Sequence, residues 1–143
     1  MIHSHIEECI YEHFYKKAKC SIGFFLLGKI DRTVTEILDT LVDEVVISLV
    51  TIEKNIKHHD DLLLKDYEIL DDIIGKYDIL LKDGEHTVGI ISNEYGQYFY
   101  ALKVTASKEK IFLTSFRKTS KHDIKRFKNG VKKGKIEVIK GSL

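Results

Sequence analysis

The sequence predicts an α+β fold: N-terminal helices packed on an antiparallel four-stranded β-meander. Two observations carry this. Apolar residues recur mainly at helical spacing through the first 75 residues and at period two from residue 77 onward. Short polar connections then separate the period-two runs, which makes hairpins rather than helical crossovers. A length of 143 residues, 43% hydrophobic and 31% charged, suits one globular domain over 1–143. There is no proline, and no Gly/Ser-rich linker divides the chain.

Ile6, Cys9, Ile10, His13 and Phe14 follow a helical stripe, so residues 3–18 read as an amphipathic helix. The apolar run Ser21–Leu27, ending at Gly28, reads as a strand. Asp31 or Thr33 can cap a helix whose buried stripe is Val34, Ile37, Leu38 and Leu41. Val45–Val50 is β-branched and predicts a buried strand; Thr51 then caps a short helix over Ile52–His59. A helix over 65–75 uses Tyr67, Leu70, Ile73 and Ile74 and stops at Gly75. Tyr77–Leu81, Thr87–Ser92, Gln97–Thr105 and Lys110–Ser115 are the four strands of the meander. Thr119 or Ser120 caps a basic helix across 120–129, ended by Gly130, and Ile136–Ile139 adds an edge strand.

The N-terminus is acidic and rich in histidine, without the basic start and apolar stretch of a secretory signal. No apolar run approaches the ~18–20 residues that span a bilayer. The expectation is a cytoplasmic chain without membrane contact, with delivery into a target cell left open. Cys9 and Cys20 are too few for a disulfide framework; two reduced thiols are the expectation, and one bridge between them the alternative in an exported chain.

Charge is distributed unevenly. Residues 103–143 hold 13 Lys/Arg against 3 Asp/Glu, and residues 1–102 hold 10 against 19, so a formal +1 conceals segments of +10 and −9. The basic helix carries Lys118, Lys121, Lys125, Arg126 and Lys128, followed by Lys132 and Lys133. Charge runs are usually solvated faces, but so few acids beside a hydroxyl cluster point to phosphate binding. Phe116, Ile124 and Phe127 read as core positions.

Two polar clusters carry the chemistry. In His58-His59-Asp60-Asp61, adjacent helical residues point about 100° apart, which disfavours a two-histidine metal site. The remaining readings are a histidine acting as general acid or base, a metal phosphohydrolase built on the HHDD segment, and a solvated helix end. Thr114-Ser115-Phe116-Arg117 sits where the last meander strand leaves the sheet. Its hydroxyls and guanidinium suit a phosphate and a developing oxyanion; the alternative is strand-end polarity satisfied by backbone. Lys103 lies mid-strand with Phe99, Ala101 and Thr105 on its face, so it is either exposed or aimed into a site. No phosphate-binding glycine loop, paired-cysteine motif or GxSxG elbow is present.

The stretches CSIGFFLLGKI, VVISLVTIEKNIKHHDDLL, DYEILDDIIGKYDILLKDG and QYFYALKVTASKEKIFLTSFRKTSKHDIKR, covering about residues 20–128, resemble the barnase/EndoU/colicin/RelE-like (BECR) nucleases, in particular the phage-associated type. In that resemblance His59 falls on the family histidine, and His58 where arginine or lysine is common. Thr114 and Ser115 fall on the terminal hydroxyl motif, and Lys103 on a position that is often basic. The chain departs at Asn55, where histidine is frequent, and at Asp60, where proline is usual. The resemblance implies a metal-independent endoribonuclease without cofactor, in which the RNA 2′-hydroxyl attacks the adjacent phosphorus. His59, or His58 in its place, would transfer protons, Lys103 and Arg117 would stabilise charge, and Thr114 and Ser115 would orient the phosphate. It also implies a toxin acting on RNA, tRNA being a candidate, with a neutralising antitoxin or immunity protein as partner. The competing expectation is a nucleic-acid-binding module without catalysis.

Overall fold

A computed structural model describes residues 5–16, 19–21, 23–59 and 61–143 of the chain. Asp60 and the side chain of Cys20 lie outside the described residues. Ile10 and Phe14, one turn apart on helix α1 (His5–Tyr15), are buried, as the helical stripe requires. The predicted strand over Ser21–Leu27 is instead a tight hairpin. Strand β1 (Lys19–Ser21) turns at Gly23, whose φ of +81° favours glycine, into β2 (Phe24–Lys29). Helix α2 (Arg32–Leu38) is capped by Asp31, which accepts the Val34 N–H at 3.0 Å.

Strand β3 (Glu44–Ser48) is shorter than the β-branched run suggests. The Ser48 hydroxyl accepts the Thr51 N–H at 3.1 Å and so starts helix α3 (Leu49–His58) three residues earlier than a Thr51 cap would. Val50 therefore lies on the exposed side of a helix. Helix α4 (Leu64–Ile73) follows, and then strands β4 (Ile79–Asp83), β5 (His86–Asn93), β6 (Gly96–Val104) and β7 (Ile111–Lys118). Helix α5 (Lys121–Lys132) and strand β8 (Ile136–Lys140) complete the chain.

The fold is α+β, but the expected BECR-like four-stranded meander is corrected to a larger, mixed sheet of different layout. The described strands form one sheet in the order β1-β2-β3-β7-β6-β5-β4-β8. Strands β4 to β7 pair antiparallel in sequence order, yet they sit inside this sheet rather than forming it. The β3–β7 pair is parallel, and β8 closes the β4 edge. A parallel pairing of strands more than 60 positions apart leaves no local trace in sequence, which is why the period-two reading stops at the meander.

Helices cover both faces. One core joins Ile10 and Phe14 of α1, Val34 and Leu38 of α2, Ile52 of α3 and Tyr67 and Leu70 of α4 to Tyr98, Tyr100, Leu113 and Phe116. The other lies beneath α5, where Phe127 packs on Leu81, Val88, Ile90, Phe99 and Ile136. Gly130 does not stop α5. A Cβ there would collide with the Ile136 side chain, so the glycine lets the helix pass close over β8, and Gly134, at φ +76°, makes the turn instead.

Candidate active site

Strand β7 carries a bulge that the alternation pattern does not show. Ala101 pairs with Ser115 and Leu102 with Leu113, so Thr114 is the extra residue. Bulges re-aim side chains and recur beside active sites. Here Phe116 turns into the core shared with α4, while Arg117 points to the opposite face. There its guanidinium lies 5.7 Å from the Phe99 ring centre and 3.5 Å from the Asp123 carboxylate on α5. The Thr114 hydroxyl donates to the Ala101 carbonyl at 3.2 Å, so this hydroxyl is engaged by the sheet itself. Ser115 is half-buried beside it.

Helix α3 lies against β7. Lys54 donates to the Thr114 carbonyl at 3.2 Å and so anchors the helix at the bulge. One turn later the chain leaves the helix at His59, whose φ of −128° and ψ of 64° break the helical geometry. The 100° spacing that would hold His58 and His59 apart therefore does not apply at His59. His58 is exposed; His59 is half-buried.

The imidazole of His59 is held below its ordinary pKa, first by burial and next by the nearby charge of Arg117, with His58 and Lys54 adding to the effect and Asp61 opposing it. The charges of Arg117, near the end of β7, and of Lys54, on α3, thus both act on the imidazole at the end of α3. A histidine in such a field is neutral and proton-accepting near neutral pH. The surrounding positive charge suits an anion and disfavours a cation.

Asp123 shapes the far side. It is 1% exposed. It accepts the Ser120 N–H at 2.9 Å and the Ser120 hydroxyl at 2.8 Å, closing the first turn of α5. Burial works against its charge, but the Ser120 donors with Arg117 and Arg126 prevail and hold the carboxyl below the usual range.

Two expected site residues stand elsewhere. Lys103 is bound to Glu85 at 3.0 Å. It lies opposite Phe112, whereas Arg117 lies opposite Phe99, a separation of four strand residues or about 13 Å. Lys118 follows Arg117 and so points to the other face. Its ammonium lies 3.7 Å from Asp66, a fully buried carboxylate that also accepts the Tyr98 hydroxyl at 2.7 Å and the Leu63 N–H at 2.8 Å. Lys121, Lys125, Arg126 and Lys128 are exposed along α5 as the basic stripe predicts. Lys54 and Asp123 escape a reading of the sequence. A lone lysine on an exposed helical position carries no pattern, and Asp123 reads only as one acid among cations.

No family model matches this chain, and no curated protein or solved structure matches it significantly. Among the described residues no three His, Cys, Asp or Glu side chains gather as metal ligands, and no helix is long and apolar enough to cross a membrane.

Proposed function

We propose that the chain is a metal-independent endoribonuclease, acting as a toxin on RNA, with tRNA a candidate target. What supports this reading is the half-buried His59, whose pKa is lowered by burial and by the charge of Arg117, at the end of the helix that Lys54 anchors on the Thr114 carbonyl. Transesterification needs a base for the 2′-hydroxyl and cations for the pentacovalent phosphorus. His59 accepts the proton. Arg117 and Lys54 stabilise the phosphorane, and Ser115 orients the phosphate. His58, exposed at the adjacent position, is the donor nearest in sequence for the departing 5′-oxygen. Lys103, held by Glu85, is assigned to substrate binding rather than to the reacting phosphate. A toxin of this kind needs a neutralising partner.

The second reading is a nucleic-acid-binding module without catalysis. The Arg117–Asp123 and Lys118–Asp66 contacts favour it, because they engage cations that a catalyst would leave for substrate. Incubation of the purified protein with total RNA, with and without chelator, decides between them. Cleavage that persists in chelator and falls by roughly 10²–10⁴ in His59→Ala supports the enzyme. Tight binding with no cleavage supports the module, and cleavage abolished by chelator supports a metal phosphohydrolase.

A further inference from the structure

We infer that a groove along α5 is a second, non-catalytic site that holds the phosphates of the RNA strand away from the scissile bond; the inference rests on the ribonuclease reading above. The groove is a concavity of about 530 Å³ lined by His122, Lys125, Arg126, Asn129, Lys133 and Lys135, with the buried Ile136 and the Asp83 carboxylate also in its lining. It exists because α5 sits close on β8. Gly130 leaves room for Ile136, and Gly134 turns the chain back, so that Lys133 and Lys135 flank the turn.

The lining is nearly all of one sign. Lys125, Arg126, Lys133 and Lys135 share the groove with one carboxylate; Arg126 lies over the Phe127 ring and its charge also acts on Asp123, and among the described residues no salt bridge engages Lys125, Lys133 or Lys135. Four cations crowded in this way repel one another, and a polyanion relieves that repulsion while releasing its counterions. The shape selects the polyanion. From His122 to Lys133 the groove runs about 17 Å, at ~1.5 Å per helical residue. A membrane surface meets a flat or convex basic face, whereas a linear chain of phosphates follows a groove. The position agrees. The groove begins beside Asp123, the residue that contacts Arg117, so one strand can pass from the site at the β7 end into it.

The test measures RNA binding and cleavage separately. The double variants Lys133→Glu/Lys135→Glu and Lys133→Gln/Lys135→Gln are compared with Lys16→Glu/Arg32→Glu, which changes exposed cations on α2 and at the end of α1. Circular dichroism checks the fold of each. Binding of a single-stranded oligoribonucleotide of about 12 nucleotides is followed by fluorescence anisotropy across salt concentrations. The groove variants are expected to bind at least tenfold more weakly, with the log–log salt slope reduced by about 1.4, ~0.7 for each lost contact. Their cleavage of a dinucleotide, too short to reach the groove, stays at the wild-type rate. A slope equal to that of the control variant overturns the inference. So does an unchanged RNA slope joined to lost binding of phosphatidylserine vesicles, which assigns the surface to a membrane. If the wild-type protein binds with the expected slope but cleaves no RNA, the catalytic reading fails and the groove stands.

Discussion

At the scale of single residues, the proposed mechanism depends on what lowers the His59 pKa. Burial is the larger cause and Arg117 the next, both lowering its pKa from 6.5. If His59 is the base, the RNA cleavage rate rises with pH along a limb whose midpoint lies below 6.5. Replacing Arg117 by Gln removes one cause, so the limb moves toward the ordinary histidine value even as the rate falls. The same displacement is expected in an NMR titration of the His59 imidazole without RNA; a midpoint at or above 6.5 in the wild-type protein refutes the assignment. The sign carries over to stability. A depressed folded pKa means that the neutral imidazole contributes fully above 6.5, and that this contribution is lost as pH falls through the lowered value. His59 was legible in the sequence as a candidate, because the His58-His59-Asp60-Asp61 cluster is itself a chemical signal. Its partner Lys54 was not, because contact with Thr114 is created by the packing of α3 on β7.

At the scale of elements, α5 shows how far local signals reach. Ser120 as its cap and Phe127 as its buried anchor are both visible in sequence, since capping residues and apolar spacing are local. The end of the helix was misread. Gly130 resembles a stop, but its missing side chain serves contact with Ile136, a tertiary fact. The bulge at Thr114 was likewise hidden, since one extra residue leaves the composition of β7 unchanged while reversing which residues face which side. Asp123 links these features, closing the first turn of α5 and reaching Arg117 across to β7. Asp123→Ala is expected to cost about 2 kcal/mol, the range for hydrogen bonds to a buried charged group, measured by urea denaturation. Its carboxyl is held low, so the contribution is present above the ordinary value of 3.8 and is lost as pH falls below it. The wild-type and variant stabilities should therefore converge in acid; a difference that stays constant down to the acid transition would show that the carboxylate charge is not the cause.

At the scale of the whole molecule, the sheet and the charge distribution act together. The meander was legible because each of its pairings joins neighbouring strands; the parallel β3–β7 pairing was not, because it brings Val45 beside Ile111. That one pairing sets α3 beside β7, where Lys54 reaches the Thr114 carbonyl. The proposed site therefore depends on a pairing that joins positions 66 apart. The same arrangement separates charge in space. The C-terminal segment, at +10, supplies β7, α5 and β8, whereas the acidic residues 1–102, at −9, supply α1 to α4 and most of the other strands. A polyanion approaching such a molecule is drawn to the α5 side and repelled from the other, an effect of long-range field rather than of contact. Association with RNA should then be fast at low salt and slow steeply with ionic strength, whereas dissociation, set by the groove and the site, should change less. Stopped-flow anisotropy measures both rates. Adding charge on the far side tests the field apart from the contacts: Glu7→Lys/Glu8→Lys on α1 raises the net charge by four yet touches no proposed phosphate contact. If orientation by the field governs encounter, this variant associates with RNA no more than a few-fold faster, because the added cations lie away from the α5 face. A gain as large as the loss produced by the groove variants would mean that net charge alone, and not its placement, drives the encounter.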